Sequence, residues 1–244
     1  MHIKRLAPLA LCLTALFPMT LAADTLTEDE VKALVYEAIL EQPQIIMEAV
    51  RLLEERQQQQ QQSAAAAVLE TERDRLEKDP NAIVLGNPEG DVTVVEFFDY
   101  NCPYCRRVMP QVDTLVEQDP NVRLVYREWP ILGEGSVFAA RAALAARKQG
   151  KYEEFHVAMM GMEGRAEEPT VLRIAREVGL NIEQLRRDMD APEVDEHIQT
   201  SMELTRALGF SGTPSFVIGD ALIPGFVEAD VLIEKVEAAR EVGN

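Results

Sequence analysis

Cysteine is scarce in this chain: three in 244 residues, too few for a fold held together by disulfides. Cys12 stands alone, and the other two form the run Cys102-Pro103-Tyr104-Cys105. A bridge across two residues closes so short a loop that it adds little chain-entropy stability. This pair therefore reads as chemistry and not as a staple. Histidine is equally rare, at three residues. Structural zinc takes four ligands, and only His156 and His197 lie downstream to join the thiols, so that site is set aside. Cu(I) held by Cys102 and Cys105 stays open, because two soft thiolates suit it. Positive charge is in deficit, with 24 Lys and Arg against 42 Asp and Glu and a net −18. Such a surface repels nucleic acid and anionic lipid and favours solubility. Past residue 17 no apolar run approaches the roughly 20 residues that span a bilayer.

What is present begins with a leader. His2, Lys4 and Arg5 give a basic start, residues 6–17 are almost wholly apolar, and Thr20-Leu21-Ala22-Ala23 supplies small residues for cleavage. Residues 1–23 are read as a signal peptide, too short to serve comfortably as a membrane anchor. Its removal takes Cys12 away and delivers the remainder to the periplasm, with no membrane insertion afterwards.

Thr27-Glu28-Asp29-Glu30 fits a helix capping box, and Val31, Leu34, Val35, Ala38 and Ile39 follow at helical spacing. Pro43 suits the first turn of a second helix, which carries Ile45, Ile46, Val50, Leu52 and Leu53. Gln57 to Gln62 and Ala64 to Ala67 form a glutamine–alanine neck of good helix formers. Next come Arg73 with Glu77 and Asp74 with Lys78, paired as on a solvated helix. Residues 24–62 are thus an N-terminal helical segment with its neck, and 63–79 a linker helix. Two short apolar stripes are too small for a core of their own. They need the downstream domain or other subunits.

From residue 80 to 244 the texture changes to an α/β pattern. Strands are expected over 82–85, 92–98 and 122–127, and a helix from Cys102 towards Glu117. A helical block of about 136–208 follows, then strands over 215–218 and 221–223 and a last helix from 229 to 241. The order suggests an α/β sheet interrupted by an all-helical insertion.

Cys102 stands just after a strand and at the start of a helix, where unpaired N–H groups and the positive dipole end favour a thiolate. It is expected to be the exposed, low-pKa nucleophile, with Cys105, one turn inside, as the shielded resolving thiol. Pro103 and Tyr104 occupy the positions that tune the pair's redox behaviour. Strand alternation puts Glu96 on the face of Val92, Val94 and Phe98, where burial raises a carboxylate's pKa. His156 and His197 are read as ordinary helix residues, and Met159, Met160 and Met162 as gap-fillers before a soft copper site. Tyr126, Arg127 and Trp129 are expected to line the wall near the site.

The runs Phe97-Phe98-Asp99-Tyr100-Asn101-Cys102-Pro103-Tyr104-Cys105 and Gly212-Thr213-Pro214-Ser215-Phe216 resemble the active-site and proline-loop motifs of the DsbA-type thioredoxin-fold family. The N-terminal helices resemble the trimerising stalk of ScsC-type suppressor-of-copper-sensitivity proteins. The fold implied is a thioredoxin fold with an all-helical insertion, preceded by an oligomerisation stalk. The resemblance further implies that Pro214 is cis and Thr213 presents its backbone to a substrate peptide. It gives Glu96 the part of the family's buried acid, which moves the proton of the second cysteine.

The expected activity is disulfide isomerisation or reduction on cysteine-bearing protein substrates, with no dissociable cofactor. A homotrimer served by a membrane reductase of the ScsB/DsbD type is implied. The alternatives are a monomeric DsbA-like dithiol oxidase and a copper-binding protein that uses the same thiols.

Overall fold

The computed structural model describes residues 26–243, so the leader read over residues 1–23 lies outside the described residues. Helix α1 runs Glu28–Glu41 and opens on the expected capping box: Thr27 accepts from the Glu30 amide at 3.4 Å and Glu30 accepts from the Thr27 amide at 2.8 Å. Helix α2 runs Gln44–Glu77, taking the glutamine–alanine stretch into one helix. The chain divides into two compact units, through Glu55 and from Arg56 onward. In the first unit the apolar stripes are uncovered: Leu34, Leu40 and Leu53 are each more than half exposed.

The second unit is built on a five-stranded sheet. Its strands are β1 (Ile83–Gly86), β2 (Val92–Phe98), β3 (Val122–Glu128), β4 (Ser215–Ile218) and β5 (Ala221–Pro224), in the order β1-β3-β2-β4-β5. Strands β2 and β3 pair in parallel, Val92 opposite Val122, while β1 lies antiparallel on β3 and β4 antiparallel on β2. A parallel pair needs a crossover, supplied by α3 (Pro103–Gln118). Because β2 is central and covered on both faces, its sequence is nearly continuous in apolar residues. Val94 and Phe98 join one core with Val108 and Val112 of α3 and with Leu232 and Val236 of α9 (Ala229–Gly243). Val95 and Phe97 face the other. Between β3 and β4 lie α4 (Glu134–Ala146), a 3-10 turn, α5 (Tyr152–Met160), α6 (Glu168–Glu177), α7 (Ile182–Met189) and α8 (Pro192–Ala207). At the β4–β5 turn Gly219 has φ +55°, and a Cβ there would meet Ala239 at 2.9 Å, so glycine is required twice over.

Two expectations are corrected here. The segment read as a solvated linker helix is not free: Ala65, Leu69 and Leu76 of α2 are buried, the leucines with Val95, Phe97, Trp129 and Leu204 on the sheet's second face. Its ion pairs, Arg73–Glu77 at 3.1 Å and Lys78–Asp74 at 2.8 Å, occupy other faces of the same helix. Arg127 and Trp129 also belong to this second face. Arg127, fully buried, donates to Asp79 at 2.8 Å and to the Arg75 carbonyl, and so ties the end of α2 to β3. Tyr126 alone of the three points to the face that carries Glu96.

Candidate active site

The chain leaves β2 through Asp99, a buried carboxylate that accepts from the amides of Asn101 (2.7 Å), Ile131 (2.8 Å) and Leu132 (2.9 Å). Those three bonds fix the turn and bind it to the segment after β3. Cys102 then stands as the N-cap of α3 in extended conformation, and Pro103 follows at a first-turn position that tolerates its missing N–H. Cys105 sits one turn in, fully buried, and both cysteines are free thiols. Cys102 is not exposed as expected. Only 4% of it is accessible, because the 212–214 loop folds over it. Its thiol donates to the Thr213 carbonyl at 3.1 Å, the Thr213–Pro214 peptide is cis, and the Pro214 carbonyl accepts from Gly225 at 2.8 Å. Tyr104, more than half exposed, projects at the rim.

The two thiols are pushed apart in acidity. A hydrogen bond from the Cys105 thiol pulls the Cys102 pKa down to about 6. Burial opposes this, and Thr213 and the backbone amides of Cys105 and Tyr104 add to it. The helix-start amides therefore contribute, but the partner thiol leads. Cys105 is pushed well above the ordinary thiol range by burial, then by its bond to Cys102 and the negative charges of Cys102 and Glu96. Near neutral pH one thiolate faces one protected thiol, the division of labour that thiol exchange needs.

Glu96 is 3% exposed, and burial raises it to about 8, helped by the negative charges of Asp113 and Cys102. A carboxyl whose folded pKa exceeds its unfolded value of 4.5 contributes stability below pH 4.5 and loses it as pH rises through 8. At about 1.4 kcal/mol per unit, ionised Glu96 costs the fold on the order of 5 kcal/mol above pH 8. Glu96→Gln should therefore match the wild type in urea unfolding at pH 4 and exceed it at pH 9. Equal stabilities at pH 9 would mean that the carboxylate is solvated after all.

Several residues around the site carried no sequence signal, because their partners lie far along the chain. Asn101 accepts from the Ala166 amide at 2.7 Å and donates to Ser136 at 3.0 Å, joining the thiol loop to the helical insertion. Gly135 admits this approach, since a Cβ there would fall 2.1 Å from the Ala166 carbonyl. Arg106 donates to Tyr100, Met162 and Gly164 carbonyls. Both histidines are buried and partnered. Tyr100 meets His156 at 3.1 Å, Tyr152 donates to Glu128 at 2.5 Å, and Glu128 lies 2.7 Å from His197. Met159, Met160 and Met162 are buried in the core. Among the described residues, no group of three or more His, Cys, Asp or Glu side chains is placed to hold a metal.

Comparison with known proteins gives a consistent picture. The family described as a DSBA-like thioredoxin domain matches residues 93–237. A solved thioredoxin-like oxidoreductase from Silicibacter pomeroyi is 73% identical with TM-score 0.69, over 69% of this chain and 98% of that one. A linker-deleted ScsC from Proteus mirabilis is 26% identical with TM-score 0.65, over 91% of this chain and all of that one. Among curated proteins, the Na(+)/H(+) antiporter NhaA 3 of Salinispora tropica is 31% identical over 137 residues, 55% of this chain and 21% of that protein. The chain spans about a fifth to a quarter of the length of the antiporters it matches.

Proposed function

We propose, from the premise that this chain belongs to the DSBA-like thioredoxin-domain family, that it performs thiol–disulfide exchange on protein substrates in the periplasm. The observation that carries this is the Cys102 thiol at the start of α3, lowered in pKa to about 6 and set against the Thr213 carbonyl of the cis-proline loop. Cys102 thiolate attacks one sulfur of a substrate disulfide, whose other sulfur leaves as thiolate, and a mixed disulfide forms. Displacing Thr213 from Cys102 frees its backbone to pair with the substrate strand. Cys105 then passes its proton to Glu96 in its carboxylate form, the minority near neutral pH with a pKa of about 8, and the resulting Cys105 thiolate attacks Cys102. The substrate leaves reduced by two electrons, and Cys102 and Cys105 become a disulfide. If a substrate thiolate resolves the mixed disulfide instead, the substrate is isomerised and the protein stays a dithiol.

Isomerisation is the finer reading, and the N-terminal unit supports it. Its apolar residues are uncovered in the single chain, including Val31, Leu34, Val35, Ile45, Ile46 and Val50. Two further copies of the chain cover them in a homotrimer. Several tethered sites raise the local thiol concentration around one substrate, towards the millimolar range for short linkers. A membrane reductase of the ScsB/DsbD type returns the pair to its dithiol state. Removing residues 24–62 should yield a monomer that still reduces insulin but no longer restores a scrambled disulfide substrate. A full-length protein that sediments as a monomer would overturn the trimer, and a DsbA-like oxidase would take its place.

A further inference from the structure

Arg106 carries a charged side chain across the thiol loop to the insertion. It follows Cys102 by four residues, so the two share a face of α3, and helical side chains lean back over the preceding turn. Its amide bonds the Cys102 carbonyl at 3.3 Å. The guanidinium donates through Nε (3.1 Å) and Nη2 (2.8 Å) to the Tyr100 carbonyl, and through Nη1 to those of Met162 (3.2 Å) and Gly164 (2.9 Å). Every one of these acceptors is a neutral carbonyl. Among the described residues Arg106 has no carboxylate partner, in a chain with 42 acids to 24 bases. Arginine is suited to bidentate carboxylate pairing. Here the fork is spent on backbone, and among the described residues the positive charge is left without an ion-pair partner, one helical turn after Cys102.

We propose that Arg106 is a positioning residue that clamps the Cys102 loop to the insertion and, by its unpaired charge, holds Cys102 in the thiolate form. The inference deepens the exchange reading and rests on it. Burial lowers the Arg106 pKa, while the negative charges of Cys102 and Asp99 work the other way, as expected of a cation in the field of that thiolate. Among the described residues, the charged groups that act on this cluster include Glu96 on β2, Asp113 of α3, Asp99 ahead of α3, and Arg165 of the insertion loop, whose charge reaches Arg106. A neutral disulfide gains nothing from the cation. Arg106 therefore favours the reduced form and makes the pair a better oxidant.

Asn101 provides the control, because it clamps the same two segments through Ala166 and Ser136 without a charge. The test is the pH midpoint of Cys102 alkylation by iodoacetamide in the full chain. Arg106→Gln should raise it by about one unit and shift the glutathione equilibrium by about tenfold towards the disulfide. Arg106→Lys, which keeps charge and loses the fork, should stay within about 0.3 unit of wild type. Asn101→Ala should leave the midpoint in place. If Arg106→Gln does not fold, the lysine variant decides: a full-unit rise there overturns the charge role. So does an unmoved midpoint in Arg106→Gln, or an equal rise in Asn101→Ala. A wild-type midpoint near 8.5, the ordinary thiol value, would instead defeat the exchange site itself and this inference with it.

Discussion

Cys102→Ser should lower insulin reduction by about a thousandfold or more, while Cys105→Ala should accumulate protein–substrate mixed disulfides. The first effect is large because only a thiolate is an adequate nucleophile, and a serine hydroxyl in the same place stays protonated. It should not come from unfolding, since serine has the shape of cysteine with a smaller terminal atom, which cannot overpack the site, and the Thr213 carbonyl can accept from either hydrogen. Cys105→Ala leaves the attacking group in place and removes the internal thiol that releases the substrate. Losing Cys105 also removes the leading cause of the low Cys102 pKa, so its first attack should weaken at pH 6 and recover by pH 9. Trapped adducts are read by non-reducing electrophoresis and mass. Retention of activity within tenfold in Cys102→Ser would remove that residue from the reaction.

Leu69→Ala combined with Leu76→Ala should be the most damaging change away from the thiols. Both leucines are at most 2% exposed and pack on the second face of the sheet. Each truncation costs about 2–5 kcal/mol through lost transfer energy and a residual cavity. Together they take about 4–10 kcal/mol from a fold whose whole stability is of order 5–15. A domain of this size loses roughly 2–4 °C per kcal/mol, so the melting temperature should fall by at least about 8 °C. Trp129, the sole tryptophan, lies in the same cluster and reports the transition by fluorescence. A melting temperature within 2 °C of wild type would mean that α2 is not docked there in solution.

These two regions differ in how far the sequence discloses them. Strand β2 and the placement of Glu96 follow from simple alternation. The proline loop was legible only through its likeness to a known motif. Spacing alone gives no reason to bring Thr213 onto Cys102, more than a hundred residues earlier. Its arrival is also why Cys102 is covered where a free helix start would expose it. In α2 the salt-bridge pattern around Arg73, Asp74, Glu77 and Lys78 masked a sparse inner stripe of Ala65, Leu69 and Leu76. Three apolar residues over three turns are enough when the facing surface is a sheet already built. Arg106 is invisible in sequence for a related reason: its acceptors are carbonyls, and any residue carries one.

The most direct measurement is site-resolved alkylation of the reduced, full-length chain as a function of pH, with each cysteine quantified by peptide mass. Cys102 is expected to react with a midpoint near 6. Cys105, fully buried and raised in pKa, should remain unmodified through neutral pH. A Cys102 midpoint near the ordinary 8.5, or modification of Cys105 before Cys102, would contradict the assignment of nucleophile and resolving thiol on which the proposed function stands.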